Sequence, residues 1–261
     1  MILLNVPFNK AYKWHIPSLM EWYARNQAKH ELVLNWVPWR PLQKVLQGAV
    51  ERARRLGCTH ILFTEHDHWG YPVDGLDVLL AHDKDVVGFL THYKEPPYFP
   101  MAYRKKDPSL TMLERKKNLR VFRPSGLAQC DLITWAFTLV KMSVFDKMKD
   151  AGQDPFASWG AVPPDSCFCQ TCEDLGIERW VDGSIEIEHG DVPISHIPAM
   201  RRAFESILAS QRRLNLHGMV ELDEEHDIIP YQLELQKEAI QARNVKLAPA
   251  DEVPAHDSVL A

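Results

Sequence analysis

A mixed, mostly parallel α/β sheet flanked by helices is what this chain predicts, on three observations. From Met1 to Thr91, short apolar runs alternate with amphipathic segments in the order strand, helix, strand, helix, strand, helix, strand. The stretch from Leu42 to Leu56 keeps helical spacing without a miss. The run Ile61-Leu62-Phe63 stops abruptly at Glu65, His66, Asp67 and His68. A strand buried on both faces ends that way when its polar residues emerge at the carboxyl edge, where open α/β sheets place their chemistry.

Taken in order, Met1 to Val6 is a short apolar strand that stops at Pro7. Trp14, Leu19 and Tyr23 lie at roughly helical spacing between Ala11 and Ala28, with Pro17 limiting where that helix can begin. Leu32, Val33 and Leu34 give a second strand, His30 to Trp36, its core. Leu42, Val45, Leu46, Ala49, Val50, Ala53 and Leu56 form one helical face, with Pro41 near its start and Gly57 just past its end. Tyr71 to Gly75 is turn chemistry, Leu76, Leu79 and Leu80 mark a short helix, and Asp85 to Thr91 is a further buried strand. Later come a strand over Trp135 to Val140, a helix over Met142 to Lys149 and a helix over Ser166 to Leu175 ended by Gly176. Ile185 and Ile187, alternating with Glu186 and Glu188, mark a last strand that ends at His189. An amphipathic helix from Met200 to Leu208 and another from Gln232 to Arg243 form a helical extension, and the final residues carry the composition of a disordered tail. The boundaries expected are 1–195 for the α/β domain, 196–245 for the extension and 246–261 for the tail.

Composition places 261 residues, 46% hydrophobic and 25% charged with net charge −5, among ordinary globular proteins. Neither a secretory leader nor an apolar run long enough to span a bilayer is legible, and five cysteines, an odd number, argue against a disulfide framework. A cytoplasmic protein without membrane contact is expected. Locally the balance changes: from Arg104 to Arg123 eight basic residues face only Asp107 and Glu114. This stretch, within an insertion over about 104–128, reads either as a solvated face or as a phosphate-gripping surface, with Tyr93, Tyr98, Phe99 and Tyr103 upstream to stack bases.

The acid-histidine edge is the strongest local signal. Its oxygens and nitrogens suit Mn²⁺ or Mg²⁺ where acids dominate and Zn²⁺ where histidines do; a plain polar turn is the bland alternative. His189, at a strand end far along the chain, is a second candidate ligand, or simply a histidine satisfied at a sheet edge. Asp165 opens a helix and is either a functional carboxylate or an N-cap. Cys167, Cys169 and Cys172 lack a fourth ligand for zinc, and on a helix Cys169 and Cys172 share a face that looks buried. Walker, G-x-G-x-x-G and G-x-S-x-G loops are absent, which weakens ATPase, dinucleotide and hydrolase readings.

The blocks LFTEHDHW, LLAHDKDVVGFLTHYKEPP, WAFTLVKMSVF and DSCFCQTCEDLGIERWVDGSIEIEHG, in that order over about residues 1 to 190, resemble the GT-A-fold (Rossmann-like) glycosyltransferases of phage and bacteria. By that resemblance Asp67 is the metal-binding acid of the D-x-D element, Glu65 stands in its first acidic position near ribose or metal, and His189 completes the metal site. Asp165 matches the aspartate that serves as general base in inverting members. Pro7 and Arg40 fall where such enzymes hold the nucleotide, and Lys94 or Arg40 would help neutralise the diphosphate. His66 stands where the family has an acid, Pro164 where it has glutamate, and Trp135-Ala136 where it has a small G-x-G pair.

The resemblance implies transfer of a sugar from a nucleoside diphosphate sugar to a hydroxyl, with Mn²⁺ or Mg²⁺ as cofactor. The basic stretch makes duplex DNA carrying a hydroxymethylated base such as 5-hydroxymethylcytosine, as in phage-modified DNA, the leading acceptor expected, with host cytoplasm as the location; a surface glycan or small molecule stands close behind. A sugar-phosphate nucleotidylyltransferase and a non-catalytic nucleic-acid-binding module are the rivals from other classes. The former should carry a Gly-rich basic loop after its first strand, which NVPFNKAY lacks.

Overall fold

The computed structural model describes residues 1–8, 14–38, 41–94, 100–107, 109, 119–157 and 163–190. Arg40, the centre of the basic stretch, the helices expected over 200–208 and 232–243 and the expected tail lie outside them. The elements are β1 (Ile2–Phe8), α1 (His15–Asn26), β2 (Leu32–Pro38), α2 (Leu42–Leu56), β3 (His60–Phe63), β4 (His68–Trp69), α3 (Gly75–Ala81), β5 (Val86–Thr91), β6 (Ala102–Lys105), β7 (Leu119–Val121), β8 (Leu127–Cys130), β9 (Leu132–Ile133), β10 (Thr138–Lys141), α4 (Met142–Asp150), α5 (Pro164–Asp174) and β11 (Arg179–His189).

Eight strands form the main sheet in the order β2-β1-β3-β10-β5-β11-β4, with β8 also paired to β11. β1, β2, β3, β5 and β11 run one way, while β10, β4 and β8 oppose them. The sheet is therefore mixed and mostly parallel, an α/β Rossmann-like arrangement. Because successive side chains of a strand face opposite ways, Leu3 and Leu4 enter different cores. On one face Leu3, Ile61 and Phe63 pack with Leu46, Ala49 and Ala53 of α2 and Phe145 of α4. On the other, Leu4, Leu62 and Phe89 pack with Leu19 and Trp22 of α1 and Leu76 and Leu79 of α3.

α2 has the bounds its spacing predicts, and Gly57 closes it at φ 70°, the left-handed conformation glycine adopts without penalty. β1 runs on through Pro7 to Phe8 instead of stopping at the proline. This costs no ladder bond to β3, whose pairing ends at the Asn5–Phe63 register. Trp135 lies before β10, where its ring packs on Phe63 and Phe168 with centroids 4.6 and 4.9 Å away. The expected basic insertion begins and ends as strands: β6 and β7 pair antiparallel, and β9 completes a small sheet of order β7-β6-β9.

β11 is longer than its alternation predicts because it contains an irregularity. Its register against β5 shifts between Asp182 and Glu186, and Asp182 accepts hydrogen bonds from the Ser184 amide and hydroxyl, a local turn inside the strand. Gly183 makes this possible, since a Cβ there would stand 1.9 Å from the Pro124 carbonyl oxygen. Gly183→Ala is expected to destabilise the protein by about 2 to 3 kcal/mol, read as a fall in Tm of several degrees.

Candidate metal centre

Parallel strands bring their carboxyl ends to one edge, and that edge collects the chemistry. β3 delivers Glu65 to Asp67 just beyond its end, β5 delivers Lys94, and β11 delivers His189. The short β4 turns back against β11 so that His189 faces His68 and Glu188 faces Trp69 in register. Two further bonds tie the segments: the Gly190 amide donates to the Asp67 carbonyl at 2.8 Å, and the Trp69 indole N–H to the Gly190 carbonyl at 2.8 Å.

Three side chains converge on one point. Asp67, His68 and His189 each offer a ligand atom, and these atoms all lie within 4.8 Å of one another. His189 Nε2 is 3.3 Å from Asp67 Oδ2, His68 Nδ1 is 3.9 Å from Asp67 Oδ1, and the two imidazoles stack with centroids 4.4 Å apart. His189 Nδ1 sits 2.7 Å from the His92 carbonyl oxygen. A carbonyl only accepts, so Nδ1 carries hydrogen and Nε2 turns toward the carboxylate. Nε2 and Oδ2 can face each other at that distance only if a second proton or a cation stands between them.

The donor set fits a divalent cation. Asp67 Oδ1 and both His68 nitrogens are buried without a hydrogen-bond partner, a costly condition that a metal would relieve for the carboxylate oxygen and for one of the two nitrogens. Burial works to raise the Asp67 carboxyl, but the hydrogen bonds from His189 and Lys94 outweigh it and hold the group well below the usual carboxylate range. Burial pushes the His68 imidazole well down, and His189 pushes the same way. An ionised carboxylate beside a neutral imidazole is the protonation pattern that metal ligation requires. Lys94 Nζ, 2.8 Å from Asp67 Oδ2, supplies a positive charge at the same oxygen.

The sequence-predicted residues other than Arg40, which lies outside the described residues, each have a definite place. Asp67 and His189 meet as expected, and His68 joins them. Glu65 stands outside the three-ligand group; burial, then the charges of Asp67 and Asp165, push its carboxyl up to about 8, with Lys94 opposing. A cation beside it would pull the other way. Asp165 lies in the first turn of α5 and is not the N-cap, which is Pro163. It is close enough to couple to Glu65, and burial raises it to about 6 against the hydrogen bond from the Ser166 amide. Pro7 is buried at the end of β1, paired with Val37.

Cys169 and Cys172 are buried, as their shared helical face predicts; Cys167 is buried as well, and all three are unbridged. Burial drives the Cys169 thiol to about 12 and Cys172 well up, so both remain protonated, and among the described residues no cysteine joins a metal-ligating group.

No protein-family model and no curated protein matches the chain. Among solved structures, A197 from STIV superposes with a TM-score of 0.49 at 14% identity, covering 73% of this chain and 86% of that one. GalNAc-T7 with UDP, GalNAc and Mn²⁺ gives 0.41 at 8% identity over 73% of this chain, which spans 44% of that protein. CMP:2-keto-3-deoxy-manno-octonic acid synthetase complexed with CTP gives 0.37 at 10% identity, covering 80% and 99%. These likenesses bear on fold alone. No helix among the described residues is long and apolar enough to cross a membrane.

Proposed function

We propose that this protein is a metal-dependent glycosyltransferase that moves a sugar from a nucleoside diphosphate sugar to a hydroxyl acceptor. The observation that carries the reading is the convergence of Asp67, His68 and His189 at the carboxyl edge of the sheet. Asp67, His68 and His189 would hold Mn²⁺ or Mg²⁺, with Glu65 near the metal or the donor ribose. When bound there, the cation supplies positive charge for the diphosphate leaving group. Lys94 adds a further charge at that place, while Pro7 and Arg40 are assigned to the nucleotide side. As the acceptor oxygen bonds to the anomeric carbon, the bond from that carbon to the phosphate oxygen breaks and the diphosphate leaves with its electron pair. Asp165 takes the acceptor proton if configuration inverts; if it is retained, the departing diphosphate oxygen takes that proton and Asp165 positions the acceptor.

The acceptor tested first is a hydroxymethylated base in duplex DNA, reached through the basic segment 104–123. Among its described cations, Lys105 pairs with Glu173 at 2.6 Å, Arg123 pairs with Glu186, and Arg104 bonds to the Gln129 carbonyl at 3.3 Å and lies over the Phe122 ring. The remaining basic residues would have to carry the phosphate contacts.

Incubation with a panel of nucleotide sugars, Mn²⁺ and candidate acceptors, with and without EDTA, is expected to release nucleoside diphosphate only when metal is present. Pyrophosphate release from a nucleoside triphosphate and a sugar phosphate would replace the reading with nucleotidyl transfer. Metal-independent DNA binding without turnover would favour a binding module. Hydroxymethylated and unmodified duplexes are then compared, before and after replacing Lys106, Lys116 and Lys117 by Ala. Unchanged binding and salt dependence would dismiss DNA as the acceptor.

A further inference from the structure

We infer that Tyr71 and His15 are positioning residues that aim the His68 imidazole at the metal, an inference that rests on the metal-site reading above. The two histidines of the centre are held in different ways. His189 is oriented through its own ring, by the bond from Nδ1 to the His92 carbonyl. His68 is only 1% exposed, yet neither of its ring nitrogens has a hydrogen bond. What is held instead is its backbone. His15 Nδ1 lies 2.7 Å from the His68 carbonyl oxygen, and the Tyr71 hydroxyl lies 2.8 Å from the same atom.

Since that oxygen can only accept, both neighbours donate to it, and their remaining contacts follow. The single proton of Tyr71 points at His68, so its oxygen accepts from Thr64 Oγ1 at 2.8 Å. Thr64 directly follows β3, and the clamp therefore refers His68 back to the sheet. The Tyr71 ring is fixed in turn by stacking on Phe137 at 5.2 Å and by the edge of Trp22 at 6.5 Å. The Tyr71 amide, 3.4 Å from Ser18 Oγ, and the Gly70 amide, 2.9 Å from it, anchor the turn to α1. The Asp67–His68 peptide on its other side is held by the bonds from the Gly190 amide to the Asp67 carbonyl and from the His68 amide to the Glu65 carbonyl, at 2.8 and 3.3 Å. Fixing the carbonyl of His68 holds the backbone from which its ring departs, and the stack on His189, with centroids 4.4 Å apart, then sets the ring's own orientation beside Asp67.

The test measures Mn²⁺ binding directly, by electron paramagnetic resonance on the full chain, and counts directly coupled nitrogens by electron spin echo modulation. Wild type is expected to show two nitrogens. Tyr71→Phe keeps the ring and removes the donor; it is expected to bind Mn²⁺ about tenfold more weakly, in the range found for residues that orient metal ligands, and to show one nitrogen. His15→Phe should act the same way, with His15→Asn restoring part of the loss through its side-chain amide. Thr64→Val, which keeps the volume, should give a smaller change in the same direction and serves as the readout if Tyr71→Phe does not fold. Wild-type affinity and two nitrogens in a folded Tyr71→Phe, or in Thr64→Val where that variant does not fold, would overturn the positioning role and leave the metal site standing. Mn²⁺ bound to wild type through one nitrogen would remove His68 as a ligand and the inference with it. A wild type that binds no Mn²⁺ would overturn the metal reading itself.

Discussion

Asp67→Asn is expected to lower sugar transfer by about 10³-fold, the order seen when a preorganised electrostatic partner of a developing charge is removed, and to weaken Mn²⁺ binding correspondingly. The amide preserves shape but not charge. Asp67 is 4% exposed, and its carboxylate is the one anionic member of the three-ligand group. It also faces His189 and Lys94 at 3.3 and 2.8 Å. Neutralising it leaves both partners beside a group that no longer prefers a cation. Lys94 can turn into solvent, because its side chain is 40% exposed, so the fold should survive. Turnover with a nucleotide sugar and Mn²⁺ titration, both on protein with an unchanged circular dichroism spectrum, check the prediction. Near wild-type values for both would remove Asp67 from the site.

Asp165→Asn is expected to separate chemistry from metal binding. If the carboxylate takes the acceptor proton, kcat falls by roughly 10²–10⁴-fold, while Mn²⁺ affinity stays within about twofold because Asp165 lies outside the ligand group. The pH profile gives a second readout. A base must be ionised to accept a proton, and burial raises Asp165 to about 6. Activity should therefore hold above that pH and fall tenfold per unit below it, and in Asp165→Asn this acid limb should vanish. An acid limb that persists in the variant would assign it to another group.

The sequence made the periodic parts of the fold legible and hid the parts that depend on partners. α2 is readable because its seven apolar positions answer to one period, and α4 and α5 are readable for the same reason. β10 is recognisable as a strand, yet nothing in TLVK tells that it inserts antiparallel between β3 and β5; pairing direction is set by the connections. β11 is half hidden because Asp182 to Ser184 reads as a turn, which locally it is. β6 and β7 pair at the two ends of the basic stretch, whose charge masks its pleat, β8 joins β11 in the main sheet, and β4, with two residues, is too short to leave a pattern.

The candidate centre divides along the same line. Asp67 and His189 could be named from composition and position at strand ends. His68 was visible as part of the acidic-histidine edge but not as a ligand, because its partnership with His189 arises from a cross-strand register that requires knowing that β4 and β11 are neighbours. Lys94 is expected beside the diphosphate from the sequence; its ammonium bonds to Asp67, a contact that joins residues from the ends of two strands separated by β10 in the sheet.

Trp69 and Gly190, 121 positions apart, are bonded to each other beside the ligands, so occupancy of the centre would act as a reversible crosslink between an early and a late portion of the polypeptide. Such a link shifts apparent stability by mass action, about 2.7 kcal/mol when the ion exceeds its dissociation constant a hundredfold. Chelation should then loosen the end of β11 first, accelerating amide exchange there while the inner strands β1 and β3 keep their protection.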